Sequence, residues 1–244
     1  MDSTIPNHIA IIPDGNRRWA KAKGFASIEG HREGAERFRE VSEAAFKEGI
    51  SYFTFWAVSD ANIVNRSVPE LTYLFELLRK ELVRELETGR LIKDDVRFHV
   101  VGWWEELARE RNFVDTQKLR AVITELETRT AACTKRHLTI LFGYGGRREM
   151  HEAVNRMATD QSLAAGTEEE FRRALATWFL PDVDLVIRTG EPQDRQYHES
   201  EGFLMYLTAD AVKQFPAVMW PDFTPERLRE ELKRYADFER RRGA

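Results

Sequence analysis

Short apolar runs alternate along this chain with longer stretches whose apolar residues recur at helical spacing. "HIAII" (8–12), "SYFTFWAV" (51–58), "VRFHVVG" (96–102), "HLTILFG" (137–143), "VDLVI" (183–187) and "FPAVMW" (215–220) read as strands. Between them, residues 30–49, 68–87, 113–132, 147–158, 168–179 and 224–241 read as helices, with a glycine stop at Gly49 and a proline near the start of the second. Strands alternating with helices predict parallel pairing through right-handed crossovers. Near-continuous apolar strands predict a sheet covered on both faces. The expected fold is therefore α/β, a single domain over residues 1–244 with a central, mainly parallel β-sheet flanked by helices. Residues 158–169, "ATDQSLAAGTEE", are the expected surface loop.

Composition narrows the functional classes. Hydrophobic residues make up 42% of 244, enough for one sizeable core. A net charge of −4 gives no global basic field for nucleic acid, so any anion site must be local. With one cysteine, Cys133, a chain can build neither an internal disulfide nor a cysteine metal site, and a reducing, cytoplasmic setting is expected. The opening "MDSTIPNHIAIIPDG" lacks a basic region before its short apolar run, so no signal peptide is expected, and no apolar run approaches a membrane span.

Ligands of such sheets bind at the carboxyl ends of the strands. After the first strand come Asp14, Gly15, Asn16, Arg17 and Arg18, leading toward a short helix beginning near Trp19. Glycine admits close backbone approach, and arginine forks suit diphosphate oxygens. An aspartate beside a phosphate repels it unless a divalent cation lies between them, so the set points to a Mg²⁺–diphosphate site. The bland alternative, a turn with solvated charges, has equal weight on chemistry alone. After the second strand, Ser59 and Asn62 offer hydrogen bonds and Arg66 an anion contact, against the alternative of a helix-capping loop. "GYGGRRE" follows the fourth strand, and Arg188-Thr189-Gly190 the fifth, opening a long loop with Arg195, His198 and Ser200. His31, just after Gly30, reaches the same rim unless it is a structural histidine. The chain has no P-loop lysine motif, no G-x-S-x-G and no G-x-G-x-x-G after a strand, which disfavours nucleotide hydrolysis, that class of serine hydrolase and dinucleotide binding.

"HIAIIPDGNRRWAKAKG", "GHREGAERF", "YGGRREM", "DLVIRTG" and "MWPDF" stand in the order and spacing of the cis-prenyltransferases, the family of undecaprenyl diphosphate synthases. The chain resembles that family over nearly its whole length. The resemblance implies a Mg²⁺-dependent prenyltransferase that ionises a short allylic diphosphate and transfers its prenyl group to an acceptor, isopentenyl diphosphate by default. It also implies a homodimer, and a tunnel for the prenyl chain with the helix of "ELTYLFELLRKELV" as one wall. Membrane contact would be peripheral, and only for a long product. Position by position, Asp14 matches the metal-binding aspartate. Gly15, Asn16, Arg17 and Arg18 match the diphosphate loop, although many members have glycine where Arg17 stands. Trp19 matches the motif tryptophan, and His31 the histidine near the diphosphate. Ser59 and Asn62 match the loop in which the asparagine is assigned to proton removal. Arg188 matches the first acceptor-site arginine, with Arg195 and Ser200 as further acceptor contacts.

The departures cluster on the acceptor half. The loop after Arg188 is longer than the family's, and Glu191-Pro192 breaks its glycine pair. Glu191, Asp194, Glu199 and Glu201 would repel a second diphosphate: two like unit charges 4 Å apart cost about 4 kcal/mol near a surface. The family's second metal-binding glutamate falls on Val212, with Asp210 the nearest carboxylate; a family glutamate becomes Ala61, a tryptophan Ile63, an arginine Ser27 and an asparagine Gly143. An extra residue precedes Arg66, a spacing similar to the cyclolavandulyl diphosphate synthase branch. Three readings result: an isopentenyl-adding enzyme, an atypical enzyme whose acceptor is a second allylic diphosphate or an uncharged, aromatic or specialised metabolite, and, ranked last because Asp14 to Trp19 stand, a non-catalytic partner subunit.

Overall fold

All five residues of β1 (His8–Ile12) are buried, as a strand inside a doubly covered sheet must be. The computed structural model describes residues 5–111, 116–163, 166–190 and 202–242, with side chains as far as residue 238. After β1 come α1 (Asn16–Ala22), α2 (Ser27–Lys47), β2 (Tyr52–Ser59), α3 (Asp60–Asn65), α4 (Val68–Thr88) and the single turn α5 (Arg90–Lys93). Next are β3 (Val96–Val101), α6 (Trp104–Glu110), α7 (Gln117–Thr130), β4 (Arg136–Tyr144), α8 (Gly146–Thr159), α9 (Glu168–Ala174), β5 (Leu185–Arg188), β6 (Val212–Gln214) and α10 (Pro225–Arg242).

The strands form one six-stranded sheet in the order β3-β4-β2-β1-β5-β6, every neighbouring pair parallel. Side chains alternate between two cores. Ile9 and Ile11 of β1 join the core that includes Leu71, Leu74 and Phe75 of α4. Ala10 and Ile12 join the opposite core, with Trp56, Tyr144 and Phe203. β1 has β2 on one side and β5 on the other. The chain leaves β1 toward β2 and later returns to β5, so the strand order reverses there, the place where sheets of this class bind ligands.

Several boundaries differ from expectation. Residues 215–220 are not a strand; the edge strand is β6, and the chain turns at Pro216 into a 3₁₀ turn at Trp220–Asp222. Pro216 has no N–H for a sheet ladder, and its carbonyl instead accepts from the Val218 N–H at 2.8 Å. The helix expected over 168–179 stops at Ala174, because the buried Glu149 Oε1 takes the N–H and hydroxyl of Thr177 at 2.9 and 2.8 Å. α1 begins at Asn16 rather than near Trp19, and α2 begins at Ser27. α3 and α6 stand where the sequence predicts loop; each is shorter than two turns, too short to show an apolar period. Among the described residues no helix is long and apolar enough to cross a membrane.

Candidate active site

Three segments that meet at the carboxyl ends of β1 and β5 are bolted together through one carbonyl. The Asp14 C=O accepts from Thr189 Oγ1 at 2.9 Å and from the Trp220 N–H at 3.0 Å. The Gly190 N–H reaches the Val218 carbonyl at 2.7 Å. Two glycines make this closeness possible. Gly15 has φ +112°, and a Cβ there would meet Met219 Cβ at 2.9 Å. Gly190 has φ +84°, and a Cβ there would lie 2.6 Å from the Asp14 oxygen.

Above the bolt lies a polar cavity of ≈ 350 Å³. Asp14, Gly15, Asn16, Arg17 and Arg18 line it from the first motif, Ser59, Asn62 and Arg66 from the end of β2 and α3, Arg188 from β5, and His31 from α2. Asp14 sits between two guanidinium groups: Oδ1 is 3.1 Å from Arg18 Nη2, and Oδ2 is 3.1 Å from Arg188 Nη2. Arg188 is 4% exposed, and a charge so deep needs a partner. The Asp14 side chain is 37% exposed and open to the cavity. Ser59 both lines the cavity and caps α3, its Oγ accepting from the Asn62 N–H at 3.0 Å.

The opposite wall carries a network that the sequence reading does not find. Glu70 Oε1 accepts from Arg66 Nη1 at 3.2 Å and lies 3.2 Å from His31 Nε2; Arg66 Nη2 donates to Asn62 Oδ1 at 2.9 Å. Burial, and then the Arg66 charge, push the His31 pKa down to about 4, while Glu70 pulls it the other way. The imidazole is therefore neutral near pH 7, and because a carboxylate only accepts, Nε2 carries its proton. Burial also lowers the Arg66 pKa. Arg66 Nε and Asn16 Oδ1 are buried, and neither has a hydrogen-bond partner among the described residues. With Arg17, Arg18 and Arg188, Arg66 gives the cavity a lining of four guanidinium groups, the chemistry that suits an anion.

His31, Pro13, Asn16 and Ala57 also line a second cavity, so the two adjoin there. This second cavity, of ≈ 110 Å³, runs between α2 and α4 over β2 and β4 and is walled by Phe38, Phe55, Leu74, Leu78, Ile140 and Phe142. The arrangement is amphiphilic: a cationic chamber lies beside an apolar one, with a neutral histidine lining both.

The structure thus brings together Asp14, Gly15, Asn16, Arg17, Arg18, His31, Ser59, Asn62, Arg66 and Arg188. Trp19 does not line the cavity; its Nε1 donates to Asp222 Oδ1 at 2.8 Å and ties α1 to the 220–222 turn. Val212 begins β6, paired with Leu185, and neither it nor the exposed Asp210 lines the cavity. Ile63 is buried in the core. Arg195, His198, Ser200 and the acidic residues Glu191, Asp194, Glu199 and Glu201 lie outside the described residues. The signal for Glu70 is the Ser67-x-x-Glu70 spacing, which marks a helix start; Ser67 Oγ does accept from the Glu70 N–H, at 3.4 Å.

Known proteins share this arrangement of chain. Residues 12–243 match the Prenyltransf family model, that of undecaprenyl diphosphate synthase. An isoprenyl transferase of Fusobacterium nucleatum is 38% identical, covering 100% of this chain and 98% of its own. One from Agrobacterium fabrum is 36% identical, over 99% and 94% respectively. Among solved structures, the lavandulyl diphosphate synthase of Lavandula x intermedia in complex with dimethylallyl diphosphate superposes with a TM-score of 0.81 at 28% identity, covering 96% of this chain and 97% of that one. A probable undecaprenyl diphosphate synthase of Campylobacter jejuni, at 24% identity and a TM-score of 0.71 over 96% of each chain, shares the fold. With a family match over almost its full length, the chain belongs to the cis-prenyltransferase family and is a prenyltransferase.

Proposed function

We propose that the polar cavity binds the diphosphate of a short allylic donor, that the apolar cavity takes its prenyl tail, and that the prenyl group passes in cis condensation to isopentenyl diphosphate. The observation that carries this reading is the junction at His31, where four arginines face one cavity and an aliphatic and aromatic wall lines the next. As the allylic C–O bond ionises, negative charge gathers on the departing diphosphate. Arg17, Arg18 and Arg66, which line the cavity, are the groups to stabilise it. Asn62, held by Arg66, faces the same chamber and is assigned to removal of the acceptor's proton by family resemblance. The protein supplies orientation and electrostatics, and no covalent nucleophile is needed.

Mg²⁺ fits this donor set. Among the described residues no group of three or more His, Cys, Asp or Glu would cage an ion alone. Mg²⁺ needs no such cage: it is held through one or two carboxylates together with substrate phosphates, and Asp14 is an accessible carboxylate at the cavity floor. When bound, the ion neutralises charge on the diphosphate.

A second reading, in which the acceptor is another allylic diphosphate or an uncharged metabolite, is favoured by two observations. The extra residue that the family resemblance places before Arg66 falls beside α3, and a lavandulyl diphosphate synthase superposes well. Incubation with labelled dimethylallyl, geranyl or farnesyl diphosphate, with and without isopentenyl diphosphate, separates the readings. Repeated elongation supports the first. Single coupling without isopentenyl diphosphate supports the second. Release of no diphosphate under either condition contradicts both.

A further inference from the structure

α6 is fixed to the sheet at its start. The Trp103 N–H donates to the Gly143 carbonyl at 3.0 Å, and the buried Trp104 packs edge-on against Phe142 of β4 and Phe75 of α4. Gly143, with φ +63°, lies where α6 and α3 meet the end of β4: a Cβ there would stand 2.8 Å from the Trp104 backbone and 2.9 Å from Ile63 Cδ1. Gly143 and Ile63, two of the departures from the family pattern, therefore belong to one joint.

At its other end α6 reaches the segment that carries Arg66. Arg111, the cap residue of α6, donates from Nη1 to the Val64 carbonyl at 2.7 Å and from Nη2 to the Arg66 carbonyl at 3.1 Å. Val64 lies in the last turn of α3, and Arg66 caps that helix. The last carbonyls of a helix have no partner within it, and one guanidinium fork serves both of these. α3 has six residues, too few for its own hydrogen bonds to hold its end in place. The Arg66 side chain is held separately, by Glu70 and Asn62. Arg66 is thus gripped at both its backbone and its guanidinium, whereas Arg111 does not itself line the cavity.

Resting on the donor reading above, we infer that Arg111 is a positioning residue for the prenyl transfer: it ties the end of α3 to the frame of β4 and α6 and so keeps the Arg66 guanidinium at the donor diphosphate. The extra residue that the family resemblance places before Arg66 falls in this tied segment. An added residue gives a connection more conformations to lose, and two fixed carbonyls remove them.

The test is a double-mutant cycle, read as kcat/KM for the donor in steady-state turnover of labelled dimethylallyl diphosphate with isopentenyl diphosphate and Mg²⁺. Arg111→Gln is expected to lower kcat/KM by about tenfold. Arg111→Lys should lower it by about threefold, since an ammonium lacks the fork that reaches two carbonyls. On an Arg66→Ala background, Arg111→Gln should cost less than about twofold, because the group that Arg111 positions is gone. A cost of about tenfold on both backgrounds marks a merely structural role and overturns the proposal, as does wild-type kcat/KM in Arg111→Gln. Where Arg111→Gln does not fold, Arg111→Lys carries the same cycle. Release of no diphosphate by the wild type overturns the donor reading itself, a distinct result.

Discussion

One carboxylate oxygen, Glu70 Oε1, lies 3.2 Å from both Arg66 Nη1 and His31 Nε2. The Glu70 and Arg66 side chains are only 17% and 16% exposed, so screening by water is limited. Removing the charge from one end of such a pair leaves the other end uncompensated. Glu70→Gln is therefore expected to lower kcat by roughly tenfold to a hundredfold, by releasing Arg66 and the His31 ring from their working positions. Steady-state kinetics with a saturating allylic diphosphate checks this; an unchanged kcat contradicts it.

Arg66 itself lines the cavity, and its guanidinium is held in place by Glu70 and Asn62. Charge-assisted hydrogen bonds contribute about 1.5–3 kcal/mol each. Arg66→Ala should reduce kcat/KM for the donor by about a hundredfold or more. Arg66→Lys should recover little, because an ammonium cannot serve Asn62, Glu70 and a phosphate oxygen from fixed positions. Full rescue by lysine would show that only charge matters there.

Two buried histidines make the fold acid-sensitive. Burial pushes both His8 and His31 down to about 4, His31 with further help from Arg66 and Arg17 and with Glu70 opposing. The unfolded imidazoles, near 6.5, bind protons in a range where the folded ones do not. Stability should therefore rise with pH between about 4 and 6.5 and be lost as the pH falls, by up to about 1.4 kcal/mol per pH unit for each ring. Urea titrations at several pH values measure the slope. His31→Gln should flatten it; an unaltered slope removes His31 from the explanation.

At Gly15, positive φ and contact with Met219 act together. Gly15→Ala is expected to cost about 1–3 kcal/mol in urea denaturation and to displace the Asp14 loop. Wild-type stability in that variant would mean that the loop has slack.

Much of the site is legible in the sequence because its residues come in short runs beside strand ends. Asp14 to Arg18 stand directly after β1, and Arg188 ends β5, so a search of the carboxyl end of each strand finds them. Glu70 is hidden because its partners lie 39 and 4 residues away, and its position in the chain marks only a helix start. Trp19 shows the reverse: its motif places it at the site, but the indole turns to Asp222, a contact across 203 residues that no local pattern encodes. The misplaced edge strand has a local cause, since "FPAVMW" carries a strand-like composition around a proline that cannot pair.

In the proposed reaction Asp14 stands at the floor of a site that ionises an allylic diphosphate. It is tested most directly by mixing labelled dimethylallyl diphosphate, isopentenyl diphosphate and Mg²⁺ with the wild-type protein and with Asp14→Ala, and measuring diphosphate release and prenyl product together. Turnover by the wild type, its loss on chelation of Mg²⁺, and a drop of at least about a thousandfold in Asp14→Ala are expected. Undiminished turnover by Asp14→Ala would contradict it.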